Sequence, residues 1–126
     1  MSRWRWVAPA VLYALHERQL AEHGGQEGIR ELNAIESALA RPQQLFAYSH
    51  PDAAALAAAY AFGLARNHGF VDGNKRVAWV VARLFLADNG YTLRFEAAEA
   101  VRLMEALAAG SLEEGQLAQW LREHLG

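Results

Sequence analysis

Residues 68–76 read His68-Gly69-Phe70-Val71-Asp72-Gly73-Asn74-Lys75-Arg76, and they separate the two most apolar stretches of the chain. Residues 53–65 carry no charge, and residues 77–87 carry only Arg83. A helix that is apolar around most of its circumference is a buried helix. The densest polar cluster therefore connects two segments that belong in a core. Desolvating such groups costs free energy unless partners satisfy them. A neutral turn would have served as a mere connector.

The order of residues inside this stretch carries a second signal. Asp72-Gly73-Asn74 reads as a turn followed by a helix start, with Asn74 as the N-cap. Lys75 and Arg76 then occupy the first helical turn, facing the positive end of the helix dipole. That placement is unfavourable by roughly 0.3–1 kcal/mol for each exposed cation. A bound anion reverses the sign. Free backbone N–H groups, two flexible cations and Gly73 for close approach together describe a phosphate site. The plainer alternative is a solvated turn with two surface cations.

Working outward, the rest of the chain reads as helices. The first is expected over 8–23, with Pro9 in its opening turn and Gly24-Gly25 ending it. A second, short helix is expected over 31–41, stopped by Pro42. Residues 43–50 then form a connector whose Leu45, Phe46 and Tyr48 fold back onto the core. Pro51 opens the third helix, which carries eight alanines before Asn67. Arg66 is expected to cap its C-terminal end. The fourth helix ends at Asn89-Gly90. Residues 91–95 form an extended connector. Helices over 96–109 and 112–124 follow; the first of these has Ala97, Ala100, Val101, Met104 and Ala108 at helical spacing. His16, Glu17, Arg18, Glu22 and His23 read as a solvated face, and Arg83 as half of an internal salt bridge. The expected architecture is all-α: one domain over 1–126, about six helices, with two buried central helices flanking the loop.

Composition narrows the function classes. The chain has 126 residues, 53% of them hydrophobic and 21% charged, with a net charge of −2. That length supports a core without staples. The slight acidity argues against a nucleic-acid-binding domain. The absence of cysteine excludes disulfides, thiol nucleophiles and Cys-based metal sites. The opening Arg3-Trp4-Arg5 and the apolar residues after it resemble a signal peptide. Pro9 interrupts that stretch, however, and no cleavage site follows. The apolar runs fall short of the roughly 20 residues a bilayer span takes. The expectation is a cytoplasmic protein with no membrane and no nucleic-acid partner.

His68, Phe70, Asp72, Gly73, Asn74 and Arg76 stand at the spacing of the Fic/Doc family motif, and the chain resembles its death-on-curing (Doc) branch. Gly24-Gly25, Arg66-Asn67-His68 and Asn89-Gly90 extend the likeness over nearly the whole length. AMP-transferring members carry Gly where this chain has Lys75, whereas Doc-like members carry Lys. The resemblance implies a kinase-type toxin of a toxin–antitoxin system. Such a toxin transfers the terminal phosphoryl group of ATP to a hydroxyl of elongation factor Tu and arrests translation. It implies ATP as substrate and Mg²⁺, and a cognate antitoxin whose disordered tail folds as a helix in a groove beside the site.

By the same resemblance, His68 is the general base and Asp72 holds the metal. Gly73, Asn74, Lys75 and Arg76 bind phosphate, with Asn74, Lys75 and Arg76 also counted in the catalytic set. Phe70 anchors the loop. Gly69 stands where many relatives have proline and is expected to loosen the loop; Val77 replaces a common threonine. The alternatives are an AMP transferase, a non-catalytic anion- or partner-binding module and, less compatible with the net charge, an RNA-cleaving toxin.

Overall fold

The alanine-rich segment forms the centre of the molecule. In a computed structural model that describes residues 3–126, it is the helix α3, Ala53–Asn67. Around it in chain order run α1 (Pro9–His23), α2 (Leu32–Tyr48), α4 (Asn74–Asp88), α5 (Ala97–Ala109) and α6 (Glu114–His124). α3 packs against α2, α4, α5 and α6 at once, which its small side chains permit. At the crossing with α2, a Cβ added to Gly63 would lie only 3.0 Å from the Cα of Ala38. Tyr60, Leu56 and Leu64 of α3 meet Val77, Val81 and Phe85 of α4 in the core. Each such side chain contributes on the order of 1.5–3 kcal/mol when fully buried.

Two ends of α3 are fixed differently. Asp52, its N-cap, accepts the Ala55 N–H at 2.9 Å and pairs with both Arg122 Nε (2.6 Å) and Nη2 (3.0 Å). The helix therefore starts at Ala53, two residues after Pro51. At the other end His68 takes the left-handed conformation (φ 51°, ψ 47°) and turns the chain into the loop. Arg66 does not cap this end; its guanidinium lies 5.1 Å over the Phe62 ring.

Pro42 does not stop the second helix. α2 runs through it to Tyr48, so most of the expected connector over 43–50 is helical. A proline inside a helix costs about 3 kcal/mol in isolation. Here Pro42 is fully buried, and the turn beyond it brings Phe46 edge-on to Trp6 at 6.0 Å. Of the aromatics in that turn, Phe46 joins the core and Tyr48 is exposed.

The tryptophans at the start of the chain are packing residues. Trp4 and Trp6 lie 5.8 and 5.9 Å from the Phe85 ring. The Val7 N–H donates to the buried Tyr60 hydroxyl at 3.0 Å. Burial of the Tyr60 phenol pushes its pKa up, against the opposing effect of that bond. No strand forms among the described residues, only the isolated bridges Ile29–Phe70 and Leu93–Leu125. No described helix is long and apolar enough to cross a membrane.

Candidate active site

The loop between α3 and α4 is built from its backbone outward. Gly69 lies against α2, and its carbonyl accepts the N–H groups of Arg30 (2.8 Å) and Glu31 (3.0 Å). Val71 N–H donates to Gly28 at 3.0 Å. A Cβ on Gly69 would lie 2.3 Å from Ile35 Cγ1. The glycine thus tightens the loop against α2, contrary to the expected loosening. Phe70, expected as the loop's anchor, is buried, 2% exposed.

Asn74 closes the loop on itself. Its Oδ1 accepts the Phe70 N–H at 3.1 Å, and its Nδ2 donates to the Phe70 carbonyl at 3.0 Å. The side chain is thereby committed to Phe70, and the N-cap position belongs to Gly73 (φ 80°), one residue earlier than expected. Only glycine takes that left-handed conformation without penalty. The first helical bond runs from Val77 N–H to the Gly73 carbonyl at 3.0 Å. The amides of Asn74, Lys75 and Arg76 therefore lie in the turn where a helix leaves its N–H groups unpaired.

Lys75 and Arg76 are exposed and form no ion pair among the described residues. α4 has no acidic residue in its first turn to offset them. Positive charge is thus concentrated where the helix dipole is also positive, offset within the chain by the Asp72 carboxylate, and a bound anion would relieve it further.

These groups line one cavity of about 1070 Å³. His68, Asp72, Gly73, Asn74, Lys75 and Arg76 all border it. Sequence reasoning missed the apolar part of the lining, made by Trp79, Phe95, Val101 and Met104. The signal was present in the apolar stripe of the fifth helix. Ala100 and Met104 of that stripe are buried, whereas Val101 is 56% exposed beside the cavity. Arg83, also in the lining, forms no salt bridge among the described residues; its guanidinium lies 5.0 Å over the Phe95 ring.

Asp72 is exposed but held. Its Oδ1 accepts the Gly73 N–H at 2.9 Å and its Oδ2 accepts the Gln26 N–H at 3.2 Å. A carboxylate has roughly four lone-pair sites, so both oxygens keep capacity for a cation. No group of three or more metal-ligating side chains occurs among the described residues. A single carboxylate fits Mg²⁺, which takes one or two protein carboxylates and leaves its other positions to phosphate oxygens and water.

His16, expected on a solvated face, is instead 5% exposed. Its ring stacks on Phe70 with centroids 3.7 Å apart, and its Nε2 lies 2.8 Å from the Asp72 carbonyl oxygen.

Residues 6–86 match the family model described as the Fic/DOC family. The chain belongs to the Fic/DOC family. Protein kinase doc of Escherichia phage P1 is 33% identical over 123 residues, covering 97% of both chains. Toxin Doc of Mycolicibacterium smegmatis is 40% identical over 89 residues, covering 68% of both. These likenesses place the chain in the Doc branch of the Fic/DOC family. The matched region of the family model runs from Trp6 to Leu86 and so takes in the whole loop and its two flanking helices.

Proposed function

We propose that this Fic/DOC protein is a toxin-type kinase that transfers the terminal phosphoryl group of ATP to a hydroxyl of a translation factor, elongation factor Tu by resemblance. The observation that carries the reading is the head of α4, where exposed Lys75 and Arg76 flank unpaired amides in the same cavity as His68 and Asp72. One of the relatives is itself named a protein kinase. By the family resemblance, Lys75 in place of glycine favours phosphoryl over AMP transfer.

Each group has a role in this reading. The His68 imidazole accepts the proton of the attacking hydroxyl as general base. The hydroxyl oxygen bonds to the terminal phosphorus as the bond to the bridging oxygen breaks, and ADP leaves. Lys75, Arg76 and the amides around Gly73 and Asn74 neutralise charge on the transferring group. Phosphoryl transfer depends chiefly on such positioning and electrostatics. Asp72 would hold Mg²⁺, which when bound draws charge from the phosphate oxygens. His68 is the only non-glycine residue with positive φ among the described residues. Strain of that kind costs about 1–3 kcal/mol and is concentrated at functional sites.

The apolar wall of Trp79, Phe95, Val101 and Met104 suits the apolar face of a helix. It is our candidate for the groove that receives the tail of a cognate antitoxin.

The test is transfer from ATP labelled on its terminal or its innermost phosphate, followed by mass spectrometry of cell proteins after brief expression. Terminal label on the target, lost in His68→Ala, is the expected result. Innermost label alone would make the protein an AMP transferase. Equal toxicity of wild type and His68→Ala, with no label from either nucleotide, would leave a binding module.

A further inference from the structure

We infer that His16 is a positioning residue for the Asp72 turn. The role presupposes phosphoryl transfer only where turnover is measured. His16 lies 56 residues before Asp72, outside the loop on α1, yet touches two positions of the loop. Its ring stacks on Phe70 at an interplanar angle of 12°, and Tyr13 meets Phe70 edge-on from the same helix. Its Nε2 lies 2.8 Å from the Asp72 carbonyl, and a Cβ on Gly73 would come within 3.5 Å of the same nitrogen.

A carbonyl oxygen only accepts, so Nε2 carries the proton and donates. The peptide unit joining Asp72 to Gly73 is planar. Holding its oxygen therefore also sets the direction of the Gly73 N–H, at the entrance to α4. The segment after α1 holds the other end of Asp72. Gln26 N–H reaches Oδ2, and at Gly25 (φ 123°) a Cβ would lie 2.9 Å from that oxygen. α1 and its following turn thus grip Asp72 by both carbonyl and carboxylate.

A packing role alone does not account for the choice of residue. Apart from the Tyr60 phenol, His16 is the only titratable side chain buried among the described residues. Burying an imidazole has a desolvation cost that a leucine or phenylalanine would avoid. Neither of those could hold the Asp72 carbonyl.

The test compares the full chain with His16→Phe, which keeps the stacked ring and loses the donor, and His16→Gln, whose amide N–H stands near the place of Nε2. Three quantities are read: the thermal midpoint, the amide NMR signals of Gly73 and Asn74, and kcat and KM for ATP with Mg²⁺. His16→Phe is expected to shift and broaden those two signals while those of α6 stay in place. It should lower kcat on the order of 10²-fold, as a misplacement of about 1 Å does, with a smaller change in KM. His16→Gln should recover at least about tenfold of that loss, the range over which one hydrogen bond acts. Should His16→Phe not fold, His16→Leu, equally without a donor, is judged by the same criteria.

Unmoved Gly73 and Asn74 signals in the donor-free variant, or a His16→Gln no better than it, would overturn the role. If the wild type transfers no phosphate, the kinase reading fails and the two amide signals alone decide for or against His16.

Discussion

Gly69 and Ile35 should behave as one coupled unit. Adding a single methyl at position 69 places a carbon 2.3 Å from Ile35 Cγ1 and 3.2 Å from the Ile35 backbone nitrogen. Carbon atoms prefer separations of roughly 3.5–4.0 Å, so something must move by more than about 1 Å. Ile35 has little room to do so, being 1% exposed on α2. Overpacking of this kind costs about 1–3 kcal/mol, so Gly69→Ala should lower stability by that amount. Ile35→Ala alone should cost about 2–5 kcal/mol through the cavity it leaves. In the double variant the added methyl enters that cavity. Its total cost should fall short of the sum by about 1–2 kcal/mol, within the range seen for residues in contact. Urea unfolding of the four proteins measures the coupling directly. Costs that add to within about 0.5 kcal/mol would refute the claim that this glycine is dictated by α2. The same cycle read in phosphoryl transfer reports on the site, because His68 and Phe70 adjoin Gly69.

Asp52→Asn retains a good N-cap residue and removes only the charge partner of Arg122. It should cost up to about 1 kcal/mol at neutral pH, the range for a half-exposed pair. The hydrogen-bonded Arg122 guanidinium, and more weakly the Ala55 N–H, holds the Asp52 carboxyl below its ordinary value against the opposing effect of burial. A group lowered in the folded state stabilises above its unfolded pKa and loses that contribution as pH falls through the folded one. The variant should therefore show a shallower loss of stability in acid, checked by thermal unfolding across that range. Tyr60→Phe leaves the Val7 N–H without its buried partner and should cost about 1–3 kcal/mol by the same method. His68→Gly should abolish phosphoryl transfer yet raise stability by about 1 kcal/mol, since glycine takes the left-handed turn freely. A destabilised His68→Gly would mean that the imidazole has a structural partner.

The parts of the fold legible in the sequence were those set by local pattern. An uninterrupted apolar run made α3 a central helix, and Asn89-Gly90 marked the end of α4. The spacing from His68 to Arg76 singled out the loop between α3 and α4, which borders the cavity. The parts that were not legible depend on contacts distant in sequence. Pro42 lies inside α2 because tertiary packing of Phe46 on Trp6 outweighs local propensity. Asn74 binds back to Phe70 instead of capping, a choice that rests on where the loop backbone lies. His16 looked solvated because its neighbours Glu17 and Arg18 are exposed; only the arrival of Phe70 buries it. All five positions of the α5 stripe line the cavity, which periodicity cannot tell from a core face.

The clasp between Asp52 and Arg122 joins residues 70 positions apart, and Arg5 and Asn89 exchange bonds across 84. During synthesis, α3 leaves the ribosome well before either the helix that covers its side or the one that secures its start. For that interval a nascent chain displays an alanine-rich apolar rod that only α2, already made, can cover. Such exposure invites aggregation or chaperone capture. The loop between α3 and α4, meanwhile, cannot take its final form until α4 has docked. The loop's final shape is thus withheld from incomplete chains by the order in which their contacts become possible.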